Sequence, residues 1–336
     1  MPGPNVPFPP MEAELVSELP EGDGWQYEPK WDGFRGILEN DGGELALWSR
    51  KERPLLRYFP ELRPLGDLLP PHSALDGEIV IARDGVLDFD SMQMRLHPAE
   101  SRVNRLAKEI PAEFIAFDLL LWKGKPIHEL PLKKRRAQLE KLAKSFQLSP
   151  RTLDPEAAGE WLDTFEAAGL DGVIAKRLDQ PYRPGSREAV MKVKPCKTAD
   201  AVIVGVRWKS KPDRIATLLL GLYRDDGGID YVGSAAVAAS KHDQIAEQVL
   251  PLIDKKSDRR FSEPNRWGTG DLEEQAVKPK LVAEVRYDKV QGNRFRHGTR
   301  FLRFRDDKAP KDCTWRELRP PRSPNDPTFE SLLGAK

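Results

Sequence analysis

The chain has 336 residues, 39% hydrophobic and 32% charged, long enough for two ordinary domains that each bury a core. Lys plus Arg is 54 against 53 for Asp plus Glu, which excludes a wholly basic protein that coats nucleic acid; any anion-binding surface has to be a local patch. Two cysteines, Cys196 and Cys313, and five histidines exclude a disulfide framework and argue against a structural zinc site.

The N-terminus, MPGPNVPFPPMEA, is Pro-rich and has no apolar signal-peptide core. Short strands over 36–38 and 44–48 flank Asn40-Asp41-Gly42-Gly43, a hairpin turn that supplies positive φ. Arg83-Asp84-Gly85 separates strands at 75–82 and 86–89 in the same way. The strongest apolar run, 114–122, is short and interrupted by Asp118, so it reads as a buried strand and not as a membrane span; the expected location is the cytosol. After Pro131, Leu132, Leu139, Leu142 and Phe146 recur at helical spacing, with Lys133, Lys134, Arg135 and Arg136 in the first turns. A second amphipathic helix is expected over 155–168 and a strand over 172–176.

Character changes at Pro195-Cys196-Lys197-Thr198, which places a boundary at 195–200. Strands are expected over 201–208, 217–223 and 229–237, with Asp225-Asp226-Gly227-Gly228 as a further turn. A helix over 241–253, a polar stretch over 254–275 and strands over 281–287 and 300–305 complete the pattern. Five or so short strands and one helix suit a small Greek-key barrel of the OB type.

The chemistry concentrates first in Glu28-Pro29-Lys30-Trp31-Asp32-Gly33-Phe34-Arg35. A lysine nucleophile must lose its proton, which nearby cations favour, and must be held rigidly at a sheet edge. By itself Lys-x-Asp-Gly is weak, since an Asp-Gly turn after a charged strand edge is common. Support comes from further along the chain: Ser49-Arg50, then Leu75-Asp76-Gly77-Glu78-Ile79-Val80, then Phe114 to Leu120 with Phe117 and Asp118 at its centre. Asp171-Gly172-Val173-Ile174-Ala175-Lys176, Met191-Lys192-Val193-Lys194-Pro195 and Arg303-Phe304-Arg305-Asp306-Asp307-Lys308 complete the series. Each has an ordinary structural explanation, as a turn, a core aromatic or a solvated strand face. Jointly, and in this order, they describe one polyphosphate site: a nucleophile, acids for a divalent metal, an aromatic for a base, and cations for phosphates.

This series resembles the collinear motifs of the covalent nucleotidyltransferase superfamily, the ATP-dependent DNA ligases in particular, from about residue 25 to 310. With only 29 residues before Lys30, the layout is similar to small bacterial repair ligases, especially the actinobacterial ligase C type. The resemblance implies an α+β fold: an adenylation domain of antiparallel sheets with flanking helices over 1–196, an OB barrel over 200–320 and a C-terminal tail over 321–336. It implies that Lys30 forms the phosphoramidate to AMP, that the backbone at Glu28 reads the adenine amino group, and that Phe117 stacks on adenine. Arg35 and Arg50 would contact the ribose or the nick phosphate, and Glu78 the ribose hydroxyl or a metal. Lys192 and Lys194 would hold the α-phosphate, while Arg305, Asp307 and Lys308 would orient the departing pyrophosphate. The implied cofactors are ATP and Mg²⁺ or Mn²⁺, the latter on Glu78 and Asp171. One departure is Asp171-Gly172 where the family has Glu-Gly; aspartate is a methylene shorter but keeps hard oxygen ligands.

The implied substrate is nicked duplex DNA, acted on by a monomer in a repair setting, beside a primase-polymerase or an end-binding protein. For DNA contact the candidates are Arg286, Lys289, Arg294, Arg296, Arg300, Arg303, Arg305 and Lys308, for whose arginines a phosphate-binding groove and a solvated strand face stay equally open, interleaved with Phe295, Phe301 and Phe304, whose better reading is core. Lys133 to Arg136 is first a solvated helix start and second a DNA contact, and 254–275 is first a surface loop and second a clamp. Two other readings stay open: an RNA ligase or capping-type nucleotidyltransferase, and a non-catalytic nucleic-acid-binding module on the ligase fold. The terminal Arg305-x-Asp307-Lys308 set argues against the RNA ligase, and Lys30, Glu78, Lys192 and Lys194 against the module.

Overall fold

A computed structural model describes residues 4–195, 197–209, 211–257, 259, 261, 273–295, 299–318 and 322–334. The chain divides into two compact units, Met1–Pro195 together with Ser323–Lys336, and Cys196–Arg322.

In the first unit, one sheet runs in the order Gln147–Leu148, Glu113–Trp122, Ser73–Val80, Phe34–Asn40, Leu45–Ser49, with Lys125–Pro126 beside Glu113–Trp122. The other runs Glu14–Val16, Val190–Val193, Val173–Arg177, Trp25–Pro29. Neither is purely antiparallel as expected. Glu14–Val16 pairs in parallel with Val190–Val193, and Gln147–Leu148 in parallel with Glu113–Trp122. Parallel neighbours are joined by long connections and leave no turn signature, so the sequence shows only the hairpins.

The hairpins form where the turn residues place them. Asp41 Oδ1 accepts from the N–H of Gly43 and Glu44, at 3.2 and 3.0 Å, closing the 40–45 turn. Asp84 and Gly85 both take positive φ, 52° and 75°, the arrangement a two-residue hairpin requires. The strand expected over 86–89 is cut short at Leu87, because Asp88 caps a helix over Phe89–Arg95 by accepting from Ser91 N–H at 3.0 Å. Leu132, Leu139, Leu142 and Phe146 are all buried; the first two lie on a helix over Leu132–Leu139, Leu142 on the 3-10 turn that continues it, and Phe146 just beyond. The helix Pro155–Thr164 has Asp154 as its N-cap and Pro155 in its first turn, and a 3-10 turn ends at Gly169 with φ 84°. The strand Val173–Arg177 follows.

Lys133 to Arg136 departs from expectation at two positions. Arg135 is 1% exposed and forks onto Asp118 at 2.8 and 2.9 Å. Arg136, also buried, reaches Glu140 and the Ser149 carbonyl. Leu132 and Leu139 turn one face of this helix inward, and the two arginines go in with it; Lys133 and Lys134 alone remain exposed.

In the second unit, Lys197–Lys209 pairs with Lys211–Tyr223, which pairs with Ile229–Ala236. Ile229–Ala236 meets Arg300–Phe304, which pairs with Val282–Tyr287, which returns to Lys197–Lys209. Glu274–Ala276 adds to Lys197–Lys209 across Gly205 to Arg207. Ile245 and Val249 of the helix His242–Val249 lie in the same core as Leu218, Leu220 and Phe304. Phe301 and Phe304 are buried and Phe295 partly so. Most of the polar stretch 254–275, namely 258, 260 and 262–272, and Arg296 lie outside the described residues.

The last segment, expected as a tail over 321–336, packs on the first unit. A capping box between Thr328 and Ser331 starts a short helix, Phe329–Leu332, and Phe329 is 2% exposed. Among the described residues, no helix is long and apolar enough to cross a membrane.

Candidate active site

Lys30 directly follows the Trp25–Pro29 strand, where its backbone continues the ladder. Its N–H donates to the Gly172 carbonyl at 2.8 Å, and its carbonyl accepts from Asp171 N–H at 3.0 Å. Two glycines make this pairing possible. A Cβ on Gly172, whose φ is +130°, would meet the Val193 carbonyl oxygen at 2.0 Å, and one on Gly33 would meet the Ile79 carbonyl oxygen at 2.0 Å. The two Asp-Gly pairs therefore serve close backbone approach, which no other residue allows.

Lys30 Nζ donates to Asp171 Oδ2 at 2.6 Å, and Lys194 Nζ lies 3.0 Å from the same oxygen. Burial raises the Asp171 carboxyl, but the ammonium groups of Lys30 and Lys194 outweigh it and hold the group below the usual carboxylate range. Lys192 is in register with Ile174 on the Val190–Val193 strand, and burial together with Lys30 and Lys194 holds its ammonium below the usual lysine range. The strand ends at Val193, so Lys194 reaches Asp171 from just beyond it.

Glu78 and Phe117 come from the other sheet. Glu78 accepts from the Gly33 N–H at 3.2 Å, and burial pushes its carboxyl up to about 7 against the opposing pull of Lys30 and Arg35. Phe117 is half-buried, with Lys176 Nζ 4.6 Å and the Arg35 guanidinium 5.5 Å from its ring centre. Lys176 in turn donates to Glu28 at 2.9 Å, and Gln26 donates to Glu28 at 2.7 Å, so the Glu28 carboxylate is buried and committed within the protein. Arg35 sends Nε and Nη2 to Asp76 at 3.0 and 2.6 Å and Nη1 to the Met11 carbonyl. Tyr182 donates to Asp76 at 2.7 Å. Arg50 lies exposed after the Leu45–Ser49 strand.

Thus Glu78, Asp171, Lys192 and Lys194 gather around Lys30, and Phe117 stands beside Lys176 and Arg35, while Glu28 and Arg35 are bound to partners to which the sequence motifs assign no role. Lys176 was visible within the Asp171-to-Lys176 run. Asp76 stood beside Glu78, and Tyr182 carried no signal.

The remaining motif belongs to the second unit. Arg305 forks onto Asp307, with Nε and Nη2 each at 2.8 Å, and places Nη1 3.0 Å from Asp200. Hydrogen bonding from Arg305 holds the Asp307 carboxyl at about 2. Lys308 Nζ donates to Asp200 at 3.0 Å and to Glu317 at 2.7 Å. Asp200, which no motif signalled, collects both cations.

Comparisons with known proteins show the family. Residues 10–194 match the ATP dependent DNA ligase domain, and 211–308 match the ATP dependent DNA ligase C terminal region. DNA ligase C2 of Mycolicibacterium smegmatis is 43% identical over 342 residues, covering 94% of this chain and 96% of that protein. The multifunctional non-homologous end joining DNA repair protein LigD of Mycobacterium tuberculosis is 32% identical, over 90% of this chain and 37% of LigD. A solved Lig E DNA ligase shares the fold with a TM-score of 0.54 at 16% identity, covering 88% of this chain and all of that one. The chain belongs to the ATP-dependent DNA ligases, of the actinobacterial ligase C type.

Proposed function

We propose that this ligase adenylates itself on Lys30, transfers AMP to the 5′-phosphate of a nick in duplex DNA, and joins that phosphate to the 3′-hydroxyl. The observation that carries the reading is the placement of Lys30 Nζ on Asp171, with Lys194 on the same carboxylate oxygen. Asp171, held below the usual range, is a poor proton acceptor, so its part is to orient Lys30. The amine of Lys30 attacks the α-phosphorus, with Lys192 and Lys194 supplying positive charge for the phosphate oxygens. As the N–P bond forms, the P–O bond to pyrophosphate breaks and pyrophosphate leaves. In the second step the 5′-phosphate oxygen attacks the same phosphorus and frees Lys30; in the third the 3′-hydroxyl attacks the 5′-phosphorus and AMP departs.

The ring of Phe117 offers a platform for adenine, and the backbone at Glu28 lies along the same site, with the Glu28 carboxylate occupied by Lys176. Arg50 is exposed and suited to a nick phosphate. Arg35, whose arms are taken by Asp76 and Met11, serves better to hold the strand that bears Glu78. Glu78 and Asp171 suit a divalent cation: two hard carboxylates near a phosphate site match Mg²⁺, which is usually bound through one or two carboxylates plus substrate phosphates. When bound there, Mg²⁺ or Mn²⁺ supplies charge neutralisation on the phosphates. Lys192 and Lys194 hold the α-phosphate through all three steps. Arg305, Asp307 and Lys308 act on pyrophosphate in the first step, which draws the two cations from Asp200. The sequence of strand pairings in the second unit supports an OB-type barrel. Likeness to LigD, named for end joining and DNA repair, supports a repair setting; a cytoplasmic location and a primase-polymerase or end-binding protein as partner belong to the same proposal.

The test is intact mass after incubation with ATP and Mg²⁺. One added AMP on the Lys30 peptide, absent in Lys30→Ala, is the expected result. Adenylation of Lys30→Ala would refute the assignment.

A further inference from the structure

We propose that Phe329 is a positioning residue for self-adenylation: the C-terminal segment inserts it against Trp31, where it sets the spacing of the strand ends that carry Lys30, Glu78, Phe117 and Asp171. The inference rests on the reading of Lys30 as nucleophile.

Phe329 enters one small buried cluster with Trp31, Val80, Leu87, Ile115 and Leu170. Its ring meets the Trp31 indole edge-on, centroids 6.0 Å apart and planes at 79°. Four members of this cluster adjoin a site residue in the chain or in the ladder. Trp31 follows Lys30, and Leu170 precedes Asp171. Val80 lies two residues beyond Glu78 on one strand, and Ile115 two residues before Phe117 on the next. In a strand, residues two apart share a face, and Ile115 is the register partner of Glu78. Val80, Ile115 and Glu78 therefore stand on a single sheet face, with Phe117 beside Arg35, the register partner of Glu78, and the cluster holding Phe329 continues the floor on which the site is built.

The segment is fastened by specific contacts. Phe329 N–H donates to the Gly85 carbonyl at 2.8 Å, on the hairpin turn where Asp84 and Gly85 both have positive φ. Thr328 and Ser331 close the capping box that starts the short helix. Trp31 Nε1 donates to Ser149 Oγ at 3.0 Å. Trp31 is thus held by a hydrogen bond and by the Phe329 ring, with Lys30 one residue away. A nucleophile displaced by a fraction of an ångström loses rate without losing ligand affinity, because alignment with the phosphorus is needed only in the transition state.

The experiment uses the full chain with Phe329→Ala, Phe329→Leu, Leu332→Ala and Lys30→Ala. Single-turnover self-adenylation is measured across ATP concentrations, together with thermal unfolding and sealing of a nick already bearing 5′-AMP. Phe329→Ala is expected to lower the maximal adenylation rate about tenfold with half-saturating ATP changed less than about twofold, and to spare sealing of the pre-adenylated nick more. Phe329→Leu, which keeps an apolar side chain in the cluster, should recover most of the rate. A wild-type maximal rate in Phe329→Ala, whatever its melting temperature, overturns the proposal. If Phe329→Ala does not fold, Leu332→Ala, which thins the same cluster, decides: a reduced maximal rate supports the proposal, and a lower melting temperature with a wild-type rate overturns it. Lys30→Ala separates the two readings, since its adenylation would defeat the nucleophile assignment, whereas an inert Lys30→Ala beside a fully active Phe329→Ala defeats the positioning role alone.

Discussion

Lys30 and Lys194 share one oxygen: both ammonium groups lie on Asp171 Oδ2, at 2.6 and 3.0 Å. These lysines come from chain positions on either side of most of the first unit, and a single aspartate fixes their separation before any nucleotide binds. Preorganisation of this kind is what phosphoryl transfer needs, since its catalysis is mostly positioning and charge stabilisation.

Removing that anchor tests its part. Asp171→Asn leaves a hydrogen-bonding group of the same size but withdraws the negative charge and a proposed metal ligand. Self-adenylation and sealing should both fall, on the order of a hundredfold, and the Mg²⁺ or Mn²⁺ concentration for half-maximal activity should rise. Unchanged rate and metal dependence would reduce Asp171 to the turn that its neighbour Gly172 requires.

The cations of the two units should separate by step. Pyrophosphate exists only during self-adenylation, so Lys308→Ala should cripple that step while retaining much of the sealing of a pre-adenylated nick. Lys194→Ala should impair both, because the role proposed for its lysine is at the phosphate being transferred. A gel assay on ordinary and pre-adenylated nicked duplexes reads the difference. Equal losses by Lys308→Ala on both substrates would contradict the assignment.

Glu78 gives a pH signature in protein free of nucleotide and treated with chelator. Its carboxyl is raised from 4.5 to about 7, chiefly by burial. The folded chain therefore binds more protons than the unfolded chain between these values, and stability contributed by the neutral form is lost as pH rises through that window. Glu78→Gln should match wild type near pH 5 and melt higher at pH 8, with a stability gain of up to roughly 3 kcal/mol. Equal melting temperatures at pH 8 would show that the carboxylate is ionised at little cost.

Asp118 and Arg135 form a buried pair in the first unit, with Asp118 directly after Phe117. Asp118→Ala leaves a buried guanidinium without its carboxylate and should cost about 3–5 kcal/mol in denaturant unfolding. Adenylation at temperatures well below the melting transition should persist. Loss of adenylation in a folded Asp118→Ala variant would instead tie Asp118 to the site.

Local interactions wrote much of this protein into its sequence. The turns at Asn40–Gly43 and Asp84–Gly85 are set by residues that tolerate positive φ, and the apolar spacing of Leu132, Leu139 and Leu142 marks a buried helix face. The ordered series from Lys30 to Lys308 carries the family, because each chemical role demands a residue type at a fixed place on a strand or turn. Long-range pairing stayed hidden. The parallel union of Glu14–Val16 with Val190–Val193 leaves no local trace, and Arg135 and Arg136 look like solvated charges until Asp118, Glu140 and the Ser149 carbonyl are brought to them. The same holds for Arg35 on Asp76, Lys176 on Glu28, both motif cations on Asp200, and Phe329 against Trp31. A side chain's type limits what it can bond to; only the folded chain decides which partner arrives, because that choice depends on residues brought close by packing and not by sequence.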